Sequence, residues 1–308
     1  MFSKCSGRSS DRPFSKAQIR RFYDRNTSAF VSLGQGRGAI HRAVWGPGVR
    51  TREDAFRYVE DQIAGHIATL ASRFRARGFR LQADESPLHV VDLGCGVGAS
   101  LCYLAEQLPQ LPQLRFRGTG VTLSPVQARL ATERFRGAGL GDRLVCIEGD
   151  FNALPPAVGP AHAAYAIESF VHGPDPAAFM AQSAALIAPG GVLAICDDFL
   201  HATDHPQAAR ALSRFRHGWH INALLQVTEV VSLAEAAGFA PESDTDLTPY
   251  LELGRPRDRI VDVLVPLLER LPLQNTSLGH LVGGSGLQAS LRGGWLGYHL
   301  LVFRRRES

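Results

Sequence analysis

Along residues 53–76, EDAFRYVEDQIAGHIATLASRFRA, apolar side chains recur every three or four positions: Phe56, Val59, Ile63, Ile67, Leu70 and Phe74. That spacing gathers them on one face of a helix. The whole stretch from Ser15 to about Arg80 reads as helical, broken at Gly34–Gly38 and at Gly46-Pro47-Gly48, while residues 1–15 are polar and patternless. At Leu88 the texture changes. Leu88-His-Val-Val-Asp-Leu93 is an apolar run of strand length that stops at a glycine cluster. Beyond it, helical and strand-like segments alternate. Helices are predicted at Leu101–Leu108, Pro125–Gly137 and Pro176–Ile187, and strands at Arg115–Leu123, Arg143–Glu148, His162–Glu168 and Gly191–Phe199. Such alternation builds an α/β fold, a doubly wound and mostly parallel sheet covered on both faces. Further on, the pattern gives a helix at Val227–Ala237, a short strand near Phe239–Asp244 and a helix at Asp258–Arg270. Glycine turns follow at Gly283-Gly284 and Gly293-Gly294, then a last apolar run, Tyr298–Phe303.

Composition narrows the classes. In 308 residues, 45% are hydrophobic and 20% charged, enough to bury a core and outside the disordered range. No stretch approaches the roughly 20 apolar residues of a membrane span, and the N-terminus has no signal-peptide pattern, which predicts a cytoplasmic protein. The net charge is +4, yet Lys4 and Lys16 are the only lysines and the arginines are scattered among carboxylates. Nucleic-acid binders concentrate their charge, so no nucleic-acid partner is expected. The five cysteines show no CxxC spacing and read as reduced, buried thiols, with no metal site among them. A homo-oligomer is left open.

The chemistry concentrates at Val90-Val-Asp-Leu-Gly-Cys-Gly-Val-Gly-Ala-Ser100. A strand delivers Asp92, then Gly94, Gly96 and Gly98, just ahead of a helix. Glycines let a ligand approach the backbone, and the helix start offers free N–H groups. Dinucleotide enzymes use a similar loop, but a carboxylate two residues before the first glycine repels a pyrophosphate and suits a cationic amino-acid headgroup.

The D-x-G-x-G-x-G loop resembles the first motif of class I S-adenosylmethionine-dependent methyltransferases. Gly120-Val-Thr-Leu-Ser-Pro-Val-Gln127, Glu148-Gly-Asp-Phe-Asn-Ala-Leu-Pro155 and Leu186-Ile-Ala-Pro-Gly-Gly-Val-Leu193 agree in order and spacing, over roughly residues 85–200. The resemblance implies a seven-stranded Rossmann-like methyltransferase sheet over residues 81–308, with a helical insertion at about 250–290. Residues 1–80 would form a helical cap over the acceptor. It implies S-adenosylmethionine as cofactor, with Asp92, Gly94 and Gly96 around its methionine part, Thr122, Leu123 and Gln127 at the ribose, and Asp150 and Phe151 beside adenine.

The GVTLS form is similar to that of geranyl diphosphate, sterol, tocopherol and cyclopropane-fatty-acid methyltransferases. Together with Glu168 in Ala164-Tyr-Ala-Ile-Glu-Ser-Phe-Val-His172, it implies C-methylation of a lipid-like or isoprenoid acceptor such as geranyl diphosphate. Glu168 would stabilise and deprotonate a carbocation; pairing with an arginine or touching the cofactor are its other readings. His172 is the second candidate base, and the choice for an O-methyltransferase of a polyketide or peptide product. Tyr23, His41, Arg42 and Trp45 would enclose the acceptor, with Arg42 or His41 gripping a diphosphate; an ordinary core with a solvated Arg is the alternative. Trp219 and His220, in a cluster with His217, would form pocket wall or a helix–helix contact. A diphosphate would bring Mg²⁺, with Asp197 and Asp198 as outer partners. A cofactor-binding regulatory subunit without catalysis is the alternative of another class.

Overall fold

A computed structural model describes residues 13–33, 41–76, 87–108, 115–255, 261, 265 and 279–307. Its strands are β1 (Leu88–Leu93), β2 (Phe116–Thr122), β3 (Leu144–Glu148), β4 (Ala161–Ile167), β5 (Ile187–Leu200), β6 (Phe239–Asp246) and β7 (Leu296–Arg305). They form one sheet in the order β3-β2-β1-β4-β5-β7-β6. The first five are parallel, and β7 lies antiparallel between β5 and β6. The order reverses between β1 and β4. In open α/β sheets, that switch point at the carboxyl ends of the strands is where ligands bind.

Eight helices surround the sheet among the described residues: α1 (Lys16–Leu33), α2 (Arg52–Ala76), α3 (Ala99–Gln107), α4 (Pro125–Gly137), α5 (Pro176–Leu186), α6 (Pro206–Trp219), α7 (Val227–Ala236) and α8 (Gly279–Arg292). Local chemistry explains several starts. Ser124 caps α4 and Asp175 caps α5, each accepting a backbone N–H and each followed by proline at the first helical position. The strands divide their side chains between two cores. On β1, Val90 packs with Ile63, Leu70 and Leu101, while Val91 and Leu93 face the core of Phe179, Phe199 and Phe239. Both faces are therefore dry, as a doubly wound sheet requires.

Three expectations change. The stripe on α2 covers one sheet face beside α3, and among the described residues before β1 it is α1 and residues 41–42 that reach the cavity at the ligand end. Helix α6 carries no expected counterpart. Helix α8 runs straight through Gly283-Gly284, where turns were predicted. A Cβ at Gly283 would stand 2.8 Å from the Gly218 Cα, and one at Gly286 would stand 2.6 Å from the Ala211 carbonyl oxygen. These glycines serve close packing of α8 on α6. The predicted helix at Asp258–Arg270 lies outside the described residues. No helix of the described residues is long and apolar enough to cross a membrane.

Candidate active site

Strand β1 ends in the glycine loop. Gly94, Gly96 and Gly98 all have positive φ, at 106°, 52° and 74°. A Cβ on Gly94 would come within 2.3 Å of Ser169 Cβ, and one on Gly98 within 2.5 Å of Phe135. Cys95, between them, is a packing residue: its thiol sits over Gly120 and 3.6 Å from the Cys146 sulfur. Asp92 is buried and accepts a hydrogen bond from Tyr165 Oη at 2.9 Å. Burial pushes its pKa up to about 7, against the pull of that hydrogen bond.

On the neighbouring strands, Thr122 Oγ1 donates to Gln127 Oε1 at 2.8 Å, and both side chains are buried beside Leu123 along one cavity. Ser124 Oγ donates to Asp24 Oδ1 at 2.5 Å, which ties α1 to the start of α4. Asp150 accepts the Asn152 N–H at 2.8 Å and pairs with Lys16 of α1. The Phe151 ring stands edge-on to Phe179, 5.4 Å between centroids. Helix α1 thus roofs the cavity, with Lys16, Ile19 and Tyr23 in its lining.

At the end of β4 the backbone is strained: Glu168 has φ 49°, in the left-handed region. Its Oε1 accepts from the Arg42 backbone N–H at 2.9 Å, from Arg42 Nε at 3.1 Å and from Tyr298 Oη at 2.9 Å. Burial would raise its pKa, but Arg42 and His41 outweigh that and hold it below the usual carboxylate range. The Arg42 fork grips Asp198, Nη1 to Oδ1 at 2.9 Å and Nη2 to Oδ2 at 2.8 Å, and its guanidinium lies 4.0 Å over the Tyr298 ring. Arg42 is therefore engaged by two carboxylates. His41 is likewise committed: its Nε2 lies 3.3 Å from Glu60, a fully buried carboxylate that Arg57 also holds. Asp197 accepts the N–H groups of Val171 and Asp198, at 3.2 and 2.9 Å, and burial with the neighbouring Asp198 charge drives its pKa well up.

His172 ends a one-turn helix, Phe170–His172, after β4. Its Nδ1 lies 3.3 Å from the His220 carbonyl oxygen and its Nε2 2.7 Å from Tyr23 Oη. A carbonyl only accepts, so Nδ1 carries the proton and the Nε2 lone pair receives the phenol O–H. Burial lowers the His172 pKa to about 4 and raises that of Tyr23 well above its ordinary value.

The structure brings together Asp92, Gly94, Gly96, Thr122, Leu123, Gln127, Asp150, Phe151, Tyr23, His41, Arg42, Glu168, His172 and Trp219 around one cavity. Two expected residues stand apart from it. Trp45 packs with Ala43, Ala55 and Phe56 on the far side of its strand-like segment. The His220 ring is wedged between Phe14 and Phe22, centroids 4.6 and 4.4 Å away, so only its carbonyl reaches the site. Sequence reasoning missed Tyr298, Tyr165 and Lys16. The two tyrosines sit inside apolar runs, where their hydroxyls give no periodic signal.

A protein-held Mg²⁺ does not fit. No group of three or more His, Cys, Asp or Glu among the described residues is arranged to hold a metal, and Asp197 and Asp198 already have their partners. S-adenosylmethionine does fit: Gly94 and Gly96 bring bare backbone to the cavity wall, and the buried Asp92 carboxyl beside them offers a counter-charge for an ammonium group.

Comparison with known proteins agrees. Residues 90–191 match the model of a methyltransferase domain family. The chain is 32% identical over 190 residues to the methyltransferase GfsG of Streptomyces halstedii, covering 60% of this chain and 65% of that protein. It is 28% identical over 211 residues to the 27-O-demethylrifamycin SV methyltransferase of Amycolatopsis mediterranei, covering 68% and 70%. Among solved structures, the [4+2]-cyclase SpnF superposes with a TM-score of 0.67 at 18% identity, covering 96% of this chain and 97% of that one. The geranyl diphosphate C-methyltransferase of Streptomyces coelicolor A3(2) superposes at 0.61 and 18%, covering 96% and 100%. At these identities the solved structures speak for the fold alone. The cofactor motifs, the sheet order and the sequence relatives agree that residues 90–191 carry a methyltransferase domain.

Proposed function

We propose that this protein transfers the methyl group of S-adenosylmethionine to a hydroxyl oxygen of an uncharged natural-product acceptor, with His172 as the base. The observation that carries this reading is the 2.7 Å contact between Tyr23 Oη and His172 Nε2 inside the cavity. The bound cofactor supplies an electrophilic sulfonium methyl group. The chain supplies alignment, exclusion of water and a route for one proton. As the acceptor oxygen bonded to the methyl carbon and the carbon–sulfur bond broke to leave the neutral thioether S-adenosylhomocysteine, the acceptor's proton would pass to Tyr23 Oη while the phenol proton would pass to His172 Nε2. Tyr23 stays neutral throughout, in keeping with its raised pKa.

The electrostatics argue against the diphosphate reading. Among the described residues lining the cavity, Lys16, His41 and Arg42 are each paired with a carboxylate. A diphosphate needs cations that are not already neutralised. Glu168, with three donors on one oxygen, acts in this reading as a fixed anion that anchors the segment around Arg42. Relatives named as O-methyltransferases, including rstn1 of Aspergillus nomiae at 26% identity over 231 residues, support the same direction. The cap role of α1, the cofactor contacts of Thr122, Gln127, Asp150 and Phe151, and a pocket wall at Trp219 belong to this proposal.

The test is incubation with labelled S-adenosylmethionine, one panel of hydroxylated polyketides and one of prenyl diphosphates, read by mass spectrometry. Methyl transfer to an oxygen that His172→Ala reduces at least a hundredfold supports the reading. Transfer to a prenyl carbon, or full activity in His172→Ala, overturns it.

A further inference from the structure

Asn222 lies in the connection between α6 and α7, outside the cavity lining and outside every motif in the sequence. Its backbone N–H and that of Ala223 both donate to the Val171 carbonyl, each at 2.8 Å. Its side chain reaches two places at once. Oδ1 accepts the Phe14 N–H at 2.7 Å, and Nδ2 donates to the Phe14 carbonyl at 3.0 Å and to the His172 carbonyl at 3.0 Å. The amide thus pairs with Phe14 as a neighbouring strand would, while holding the backbone of His172. Two residues beyond Phe14, α1 begins, and α1 carries the Tyr23 hydroxyl that meets His172 Nε2. His172 is therefore gripped from Asn222 by two routes: directly through its own carbonyl, and through Phe14, α1 and Tyr23.

We propose that Asn222 is a positioning residue that couples the seating of α1 to the orientation of the His172 imidazole, so that base and phenol are aligned only while Phe14 is clamped. The inference rests on the reading of His172 as the base. The chemistry demands this residue type: the planar amide presents an acceptor and two donors on a short stem. Aspartate lacks the donors, serine cannot span both partners, and glutamine is one methylene too long. A proton relay needs this kind of support, since small misalignments cost large factors in rate.

The experiment is an NMR titration of the His172 imidazole in the full chain, assigned by its loss in His172→Gln. It compares wild type with Asn222→Ala, Asn222→Ser, Tyr23→Phe and the double variant Asn222→Ala/Tyr23→Phe. The groups facing the ring are Tyr23 from α1, Glu168 after β4 and His220 after α6, and burial holds the midpoint at about 4. The expected result is a midpoint raised by about one unit, a tenfold change in proton affinity, in either Asn222 variant. Tyr23→Phe should then add less in the Asn222→Ala background than in wild type. A midpoint within about 0.3 unit of wild type in a variant that still melts cooperatively, or full additivity, overturns the coupling. Failure of the base reading is distinct: it would show as methyl transfer surviving His172→Ala, whatever the titrations give.

Discussion

Arg42 and Asp198 meet fork to fork, two nitrogen–oxygen contacts of 2.9 and 2.8 Å, with the third guanidinium nitrogen on Glu168. One cation therefore reconciles the carboxylates at the ends of β4 and β5 and pins the segment that follows α1. Planar bidentate pairing is what arginine does and lysine cannot.

Removing that cation should be costly. Arg42→Met leaves the buried Asp198 and the partly buried Glu168 without their cation, and breaking a buried pair such as Arg42–Asp198 costs about 3–5 kcal/mol. Urea unfolding should show the loss directly. Arg42→Lys should recover only part of it, because the ammonium cannot reproduce both contacts. A lysine variant as stable as wild type would contradict the bidentate geometry.

The cofactor loop should be sensitive to pH through Asp92. Its folded pKa of about 7 means that the carboxyl is largely protonated at pH 6 and ionised at pH 8. If its charge meets the ammonium of the ligand, affinity for S-adenosylhomocysteine should fall on acidification below pH 7, approaching about tenfold per unit. Asp92→Asn should bind more weakly at pH 8 and lose most of that dependence. Calorimetry at pH 6, 7 and 8 measures both.

Acid should weaken the fold through His172 and His89, each lowered to about 4 chiefly by burial. Between their unfolded value near 6.5 and about 4, the unfolded chain binds more protons than the native one, so their contribution to stability falls as pH falls. Below about 4 the loss is complete. Protonation of Asp92 in the fold acts in the opposite sense, so the informative measurement is a difference. The denaturation midpoint of His172→Gln should drop less than that of wild type between pH 7 and 4.5.

Gly94→Ala should weaken cofactor binding. The substitution places a Cβ 2.3 Å from that of Ser169, at a φ of 106° that an L side chain resists. Strain of this kind costs about 1–3 kcal/mol before the loop moves. The expected outcome is an S-adenosylhomocysteine affinity reduced more than tenfold, by the same calorimetry.

Glu168→Gln separates the two methyl-transfer readings. In the O-methylation scheme it should lower turnover less than His172→Ala, because the carboxylate anchors Arg42 and takes no proton. Turnover lost at Glu168→Gln and preserved in His172→Ala would restore the carbocation scheme.

The sheet and the cofactor loop were legible in the sequence because both are written in short spans. An apolar run of strand length marked β1 at Leu88–Leu93, the alternation of helical and strand-like segments marked α4 at Pro125–Gly137, and capping by Ser124 and Pro125 is a local event. Asp92 and its three glycines belong to one turn whose backbone angles demand glycine. What the sequence could not determine was pairing across long separations. Arg42 and Glu168 are 126 residues apart, Phe14 and Asn222 are 208, and no periodicity encodes such contacts. Glycines in α8 looked like turns because their use, a close approach to α6, exists only once both helices are placed. The charge of the cavity was decided in the same way. An arginine beside aromatics suggested a grip for an anion, and only the fold brought Asp198 and Glu168 within reach to neutralise it.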